Sequence, residues 1–173
     1  MKKPAIVFAI YFILISLIVY ACGTKNDPSV PNHTSNVTTN SNSLTFVTSS
    51  ATYNYNFGFF KCGSDTSTAK HYSMSAKEIS SGFIISIIYY DSVAPGGTYM
   101  IVNPITTPTI TSGQCVIFIS APPLSSSEYI ATSGTINCAA ISGSLKVIMN
   151  NVPVINTADS TNTAKISGMW GCQ

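Results

Sequence analysis

The chain has 173 residues, with eight Lys and Arg against six Asp and Glu, a formal net charge of +2 and only 8% charged residues. None of the basic residues is arginine, so the chain lacks the guanidinium fork that phosphate and carboxylate pockets favour. It also lacks the basic face that binding nucleic acid requires, where lysines and arginines displace counterions from phosphates. Nucleic acid is therefore not an expected partner.

The first element is apolar. Met1-Lys2-Lys3 is followed by an uncharged stretch from Pro4 to Ala21 that runs through Ile6-Val7-Phe8, Ile13-Leu14-Ile15 and Leu17-Ile18-Val19. A basic start followed by an apolar run is the layout of a secretory signal. The stretch ends Val19-Tyr20-Ala21-Cys22-Gly23, which resembles the bacterial lipobox: an aliphatic residue three before the cysteine, a small residue just before it, then the thiol that receives the lipid. Residues 1–21 are read as the signal peptide, and Cys22 as the lipidated first residue of the mature chain. The alternative is an uncleaved anchor, since an apolar run of this length could just cross a hydrocarbon layer of about 30 Å. Either way the expected partner is membrane lipid. Two or three acyl chains on Cys22, at about 0.8 kcal/mol per buried methylene, would hold firmly where one chain would not. The expected address is the cell envelope, lipid-anchored to the outer membrane on its periplasmic or its exposed leaflet.

Without residues 1–21, six lysines balance six acids, so the charge of +2 belongs to the signal. Residues 22–43 then hold the cysteine and a polar stretch with two prolines and five asparagines, the composition of a linker. Asn32-His33-Thr34 and Asn36-Val37-Thr38 match the N-glycosylation pattern, but a polar linker explains them equally well.

From Leu44 to the end at Gln173 the pattern becomes short runs alternating with period two, rich in β-branched and aromatic residues and separated by Gly, Pro, Ser and Asn clusters. This is the signature of strands joined by turns. Strands are predicted at 44–48, 53–61, 69–78, 83–90, 98–103, 114–120, 128–138, 143–154 and 163–171, with no amphipathic helix after residue 22. Tyr72, Met74 and Ala76 alternate with Ser73, Ser75 and Lys77, and Leu145, Val147 and Met149 with Ser144 and Lys146. Phe83 to Tyr90 is apolar on both faces and suits a central strand. Ser80-Ser81-Gly82 and Ala94-Pro95-Gly96-Gly97 read as turns, and Ala121-Pro122-Pro123 to Ser127 as a loop, because proline cannot donate to a ladder. Short gaps favour antiparallel neighbours, so the expected fold is all-β, an antiparallel β-sandwich of about eight or nine strands with a β-barrel as the alternative.

Apart from Cys22, the cysteines are Cys62, Cys115, Cys138 and Cys172. An even count in an exported domain reads as disulfides, and four half-cystines allow three connectivities. Among these the preferred set joins Cys115 to Cys138, which flank a predicted hairpin, and Cys62 to Cys172, which would tie early strands to late ones. No CxxC spacing occurs, so no metal site is expected.

Three segments in the second half, Ala131-Thr132-Ser133-Gly134-Thr135-Ile136, Ile141-Ser142-Gly143-Ser144-Leu145-Lys146-Val147 and Lys165-Ile166-Ser167-Gly168-Met169-Trp170, are similar to segments of uncharacterised Bacteroidetes envelope lipoproteins. Those proteins share a strand with SGT, a strand opening ISG and a last strand ending in glycine and an aromatic. The resemblance covers residues 128–172 and implies an envelope lipoprotein with a small β-domain. It supplies no functional residues.

Candidate chemistry is sparse. A serine hydrolase needs a base, His71 is the one histidine after the linker, and no G-x-S-x-G elbow occurs. Asp65, Glu78, Asp91, Glu128 and Asp159 lie at predicted turns or strand ends, where an acid is usually just solvated, and are not expected to form a glycosidase pair. Neither catalytic residues nor a cofactor are predicted. Tyr53, Tyr55, Phe57 and Phe59 share one face of a predicted strand, and with Trp170 they form either a core ladder or a stacking platform for sugar rings. Asp91-Ser92-Val93 and Asp159-Ser160-Thr161 also resemble the O-glycosylation acceptor of Bacteroidetes envelope proteins. The expected function is thus a non-enzymatic envelope lipoprotein with a structural or interaction role. The alternative is a glycan- or small-ligand-binding module of an uptake system, and the candidate partners are a glycan or another envelope protein.

Overall fold

A computed structural model of the chain describes residues 42–65, 71–90, 93–107, 109–121 and 127–172. The signal, Cys22, the linker with its Asn-X-Thr triplets, and Asp91-Ser92 lie outside the described residues. The domain is all-β and sandwich-like, with eleven strands in one mixed sheet. They are β1 (Ser43–Thr48), β2 (Thr52–Asn56), β3 (Phe59–Asp65), β4 (His71–Lys77), β5 (Ile84–Tyr89), β6 (Thr98–Ile101), β7 (Gln114–Ala121), β8 (Ser127–Ala131), β9 (Thr135–Ile141), β10 (Ser144–Asn156) and β11 (Thr163–Cys172). The spatial order is β2-β1-β11-β10-β9-β6-β7-β5-β4-β3, and β8 pairs with both β10 and β7.

Nine predicted strands become eleven because two of them break. The 53–61 strand divides at Phe57-Gly58, and the 128–138 strand at Thr132-Ser133-Gly134. The first break also reverses the alternation. Tyr55 and Phe57 are buried, whereas Phe59 is 46% exposed and Phe60 packs against the core. A bulge in β10 acts similarly: pairing with β11 slips between Met149 and Val152, where Asn151 takes φ 50°. An extra residue shifts the side-chain parity by one, so Val147 and Met149 before the bulge and Val152 and Val154 after it all enter the core. The bulge also divides the partners of β10, whose first half pairs with β9 and whose end pairs with β8.

The sheet departs from the antiparallel expectation at one described pair. β6 and β7 run parallel, Ile101 opposite Cys115. Their connection spans residues 102–113, long enough for the crossover that parallel neighbours require and a hairpin does not. Elsewhere the turns match their chemistry. The β9–β10 hairpin turns through Ser142 and Gly143, both at positive φ (52° and 78°), as a two-residue loop matched to strand twist requires. In β11, by contrast, Gly168 and Gly171 mark close backbone approach, since a Cβ at Gly168 would collide with Ser43 O and one at Gly171 with Leu145 O.

One cluster fills the interior, with Phe46, Phe83, Tyr89, Ile85, Ile87, Ile117, Ile136, Val147, Ile166 and Trp170 among its members. Each fully buried side chain of this size contributes about 1.5–3 kcal/mol. β5 sits between β4 and β7, as its apolar sequence suggests; Ser86 on its other face is buried and bonds Ser75 across the β4–β5 pair at 2.9 Å. Lys146 departs from its predicted solvent position. It is only 5% exposed, and its Nζ donates to Asn42 Oδ1 at 2.6 Å.

Of the two preferred disulfides, the structure contains one. Cys62 on β3 is joined to Cys172 at the end of β11, with Cα atoms 6.2 Å apart at a sequence separation of 110. Cys115 and Cys138 are free and buried. They sit on β7 and β9 with β6 between them. Tyr89, directly opposite Cys115 in the β5–β7 register, extends its hydroxyl to within 3.5 Å of Cys138 Sγ. Removing the bridge with Cys62→Ser and Cys172→Ser together should lower the unfolding free energy by about 4–5 kcal/mol, the chain-entropy value for so long a loop. The check is urea unfolding of both proteins followed by Trp170 fluorescence.

Candidate functional site

Of the predicted stacking residues, Tyr53, Tyr55, Phe57 and Trp170 converge, but inward, whereas Phe59 is 46% exposed on the outer face. Tyr55 lies on Phe83 with ring centroids 3.8 Å apart and planes at 17°. Phe57 meets Phe83 at 6.2 Å and Trp170 edge-on at 5.9 Å. Phe46 adds edge contacts to Phe83 at 6.1 Å and Tyr129 at 5.1 Å. Trp170 is fully buried, Tyr55 is 5% exposed and Phe57 is 7% exposed. Rings covered to this degree present no free face to a sugar. Tyr53 is half-buried, stacked beside Tyr55 at 6.5 Å. Burial pushes the Tyr55 phenol up, with Tyr53, Glu78 and Tyr129 adding to it. Tyr55 Oη and Trp170 Nε1 are buried with no protein hydrogen-bond partner. Such orphans cost about 1–3 kcal/mol each, which the surrounding aromatic packing must offset.

A second cluster gathers Tyr89, Tyr99, Cys115 and Cys138. Tyr99 meets Tyr89 edge-on at 4.8 Å, and its hydroxyl accepts from Ala94 N at 2.9 Å. Burial, aided by Cys138, pushes the Cys115 thiol up to about 12. Burial also raises Cys138, an effect partly opposed by the Tyr89 hydroxyl. Tyr89 itself is raised, chiefly by burial and then by Cys138. A nucleophilic or metal-binding cysteine needs its thiolate stabilised, and both thiols here are displaced the other way. Among the described residues no group of three or more His, Cys, Asp or Glu side chains could hold a metal ion.

The remaining candidates are dispersed. His71 is half-buried at the start of β4, with Nδ1 3.3 Å from Tyr89 O and its ring edge-on to Tyr90 at 5.4 Å. Asp159 holds its own turn, accepting from Thr161 N at 3.0 Å and from Thr161 Oγ1 at 2.7 Å, bonds that lower its carboxyl. Burial raises Glu128. Asp91 lies outside the described residues, and of Asp65 only the backbone is described. Among the described residues, His71 lies on β4, Glu128 on β8 and Asp159 in the β10–β11 turn.

The polar feature that strand patterning missed is Glu78. Its carboxylate closes the β4–β5 turn by accepting from Ser80 N at 3.2 Å, Ser80 Oγ at 2.5 Å, Ser81 N at 2.6 Å and Ser81 Oγ. The serines two and three residues on were the available signal, because short polar side chains and an acid at a turn entry bond the local backbone.

Two measurements test these assignments. In the native protein Cys115 and Cys138 should resist Ellman's reagent at pH 8, and both should titrate once the chain is unfolded in guanidinium with its disulfide intact; fast native reaction would contradict their burial. The Ser80 and Ser81 hydrogen bonds hold Glu78 down at about 2, below its ordinary 4.5. A depressed carboxyl stabilises the fold above its unfolded pKa and loses that contribution as pH falls through the folded value. The urea midpoint of Glu78→Gln should therefore lie below that of the parent at pH 7, and the two should converge as pH drops from about 4.5 toward 2.

No family model matches the chain, no curated protein matches its sequence, and no solved structure matches its fold. What the chain does must be read from its own residues.

Proposed function

We propose that the protein is an exported lipoprotein, cut before Cys22, acylated on that thiol and carrying its β-domain in the cell envelope as a non-enzymatic structural or interaction module. The outer membrane is the proposed site of the anchor. The observation that carries the reading is the apolar run closing Val19-Tyr20-Ala21-Cys22-Gly23 behind two lysines. It accounts for a fifth cysteine that no partner needs to balance, and for the change to polar sequence directly after it.

The Cys62–Cys172 bridge supports export, because disulfides of this kind persist in oxidising compartments and are rare in the cytosol. Cys115 and Cys138 survive as thiols in such a compartment because they are buried. The burial of Tyr55, Phe57 and Trp170 weighs against the second reading, a glycan- or ligand-binding module, since the ladder that suggested it is, Phe59 apart, spent on the core.

Mass spectrometry of the intact protein purified from envelopes is the direct test. The expected species begins at Cys22, has 152 residues and carries two or three acyl chains, and Cys22→Ala should abolish both the cleavage and the added mass. Recovery of residues 1–21, or of an unmodified sulfur at position 22, would overturn the proposal.

A further inference from the structure

The chain enters the β-domain at a corner that carries its own apolar surface. Asn42 O accepts from Phe57 N at 2.8 Å, and the next amide, Gly58 N, donates to Lys77 O at 3.3 Å. The point of entry is thus fixed beside the β4–β5 turn. Two large apolar side chains are left in solvent there: Phe59 is 46% exposed and Ile79, in the turn itself, is 73% exposed. They adjoin, because Ile79 lies over Gly58, where a Cβ would come 3.1 Å from Ile79 Cδ1.

Lysines flank this pair. Lys77 is directly opposite Phe59 in the β3–β4 register, so the two share the outer face, and Lys61, two residues along β3, is exposed on the same face. Glu78, the acid of the turn, has its carboxylate engaged by Ser80 and Ser81. The corner therefore combines an aromatic, an aliphatic tip and two cationic stems around one internally bonded carboxylate. Aromatic rings at head-group level with snorkelling lysines beside them are the chemistry of a membrane interface.

We infer that this corner is a lipid-docking surface, on which Phe59 and Ile79 enter the head-group layer and Lys61 and Lys77 meet anionic lipid phosphates. The inference rests on the tether reading above. The occupant follows from where the chain leads: twenty residues separate Asn42 from Cys22 and its apolar run, and even fully extended they reach no more than about 70 Å. A tether this short keeps the lipid surface at a high local concentration, so a patch too weak to bind membranes alone still engages. The negative surface potential of anionic lipids supplies the partner charge for the two lysines.

The test uses the full chain incorporated through its own N-terminal segment into nanodiscs of phosphatidylcholine, with or without 30% phosphatidylglycerol, and reads backbone hydrogen exchange. With the anionic lipid, the amides of residues 59–61 and 78–82 should exchange at least about fivefold more slowly than in lipid-free detergent solution, the local protection that a docked surface confers. Those of residues 159–162 should be unchanged. Phe59→Ser with Ile79→Ser should abolish the protection without lowering the thermal midpoint, and Lys61→Gln with Lys77→Gln should remove its dependence on phosphatidylglycerol. A chain that enters the discs with unchanged exchange at the corner overturns this inference alone; a chain that never enters them overturns the tether reading and this inference with it.

Discussion

The structure depends on one short length of backbone, the Phe57-Gly58 link between the two strands at opposite ends of the hydrogen-bonded order. An eleven-strand sheet laid out in sequence would leave two unpaired edges, each a template for aggregation. Here both edges are made by consecutive pieces of chain, so β2 holds to β1 while β3 holds to β4. Phe57 N reaches back to Asn42 and Gly58 N reaches forward to Lys77, so adjacent amides serve opposite sides of the sheet. The Cys62–Cys172 bridge fastens the same arrangement from within by tying β3 to β11, a strand that is not its hydrogen-bond neighbour. The disulfide and the Gly58 backbone bond to Lys77 therefore act on the same end of the order, where β3 remains an edge strand.

That constraint also explains the aromatic core. A strand bringing Tyr53, Tyr55 and Phe57 to one side of the break and Phe60 to the other must bury them where the two halves of the sheet face each other, and Phe83 at the entry of β5 is where they meet. Trp170, just ahead of the bridged Cys172, packs against Phe57 and completes the group. The rings that make the strongest impression in the sequence are thus committed to packing, and the orphaned Tyr55 hydroxyl and Trp170 indole nitrogen are what that commitment leaves unsatisfied. Edge-to-face and offset contacts of this kind add about 0.5–1.5 kcal/mol per pair beyond area burial, enough to hold two unpaired polar atoms in the interior.

Strand positions were legible because period-two alternation and turn residues act locally. Met74 and Ala76 faced inward as read, and β5 is an interior strand, paired on both sides by β4 and β7. What stayed hidden was long-range or depended on a single residue. Gly58 ends one alternation and starts another of opposite parity, and Asn150-Asn151 does the same in β10, yet neither differs in composition from an ordinary turn or surface residue. The parallel β6–β7 pair depends on a connection whose path no local pattern records. The Cys115–Cys138 pairing looked attractive in sequence because the two flank a predicted hairpin; β6 inserts between their strands instead. For the site, polar turn chemistry at Glu78 was readable from Ser80 and Ser81, whereas the solvent face of Phe59 was not, since the alternation placed it with Tyr55 and Phe57.

The same parity reversal links fold to function. Had the alternation continued unbroken through Gly58, Phe59 would have joined the core and Phe60 would have faced outward; the shift instead leaves Phe59 beside Lys77 on the outer surface. The break reverses the parity, and the reversal leaves an aromatic outside at the corner beside Asn42. Under the proposed tether, the end of the domain at Asn42 is the one nearest to the lipid, so apolar surface costs least there and is most useful there. Exposed Ile79, on a turn made rigid by the Glu78 carboxylate, extends that surface without disturbing the core behind it. In this reading the clamp on Glu78 positions a side chain as well as stabilising a turn, because a turn free to fray would withdraw Ile79 from the surface that Phe59 begins.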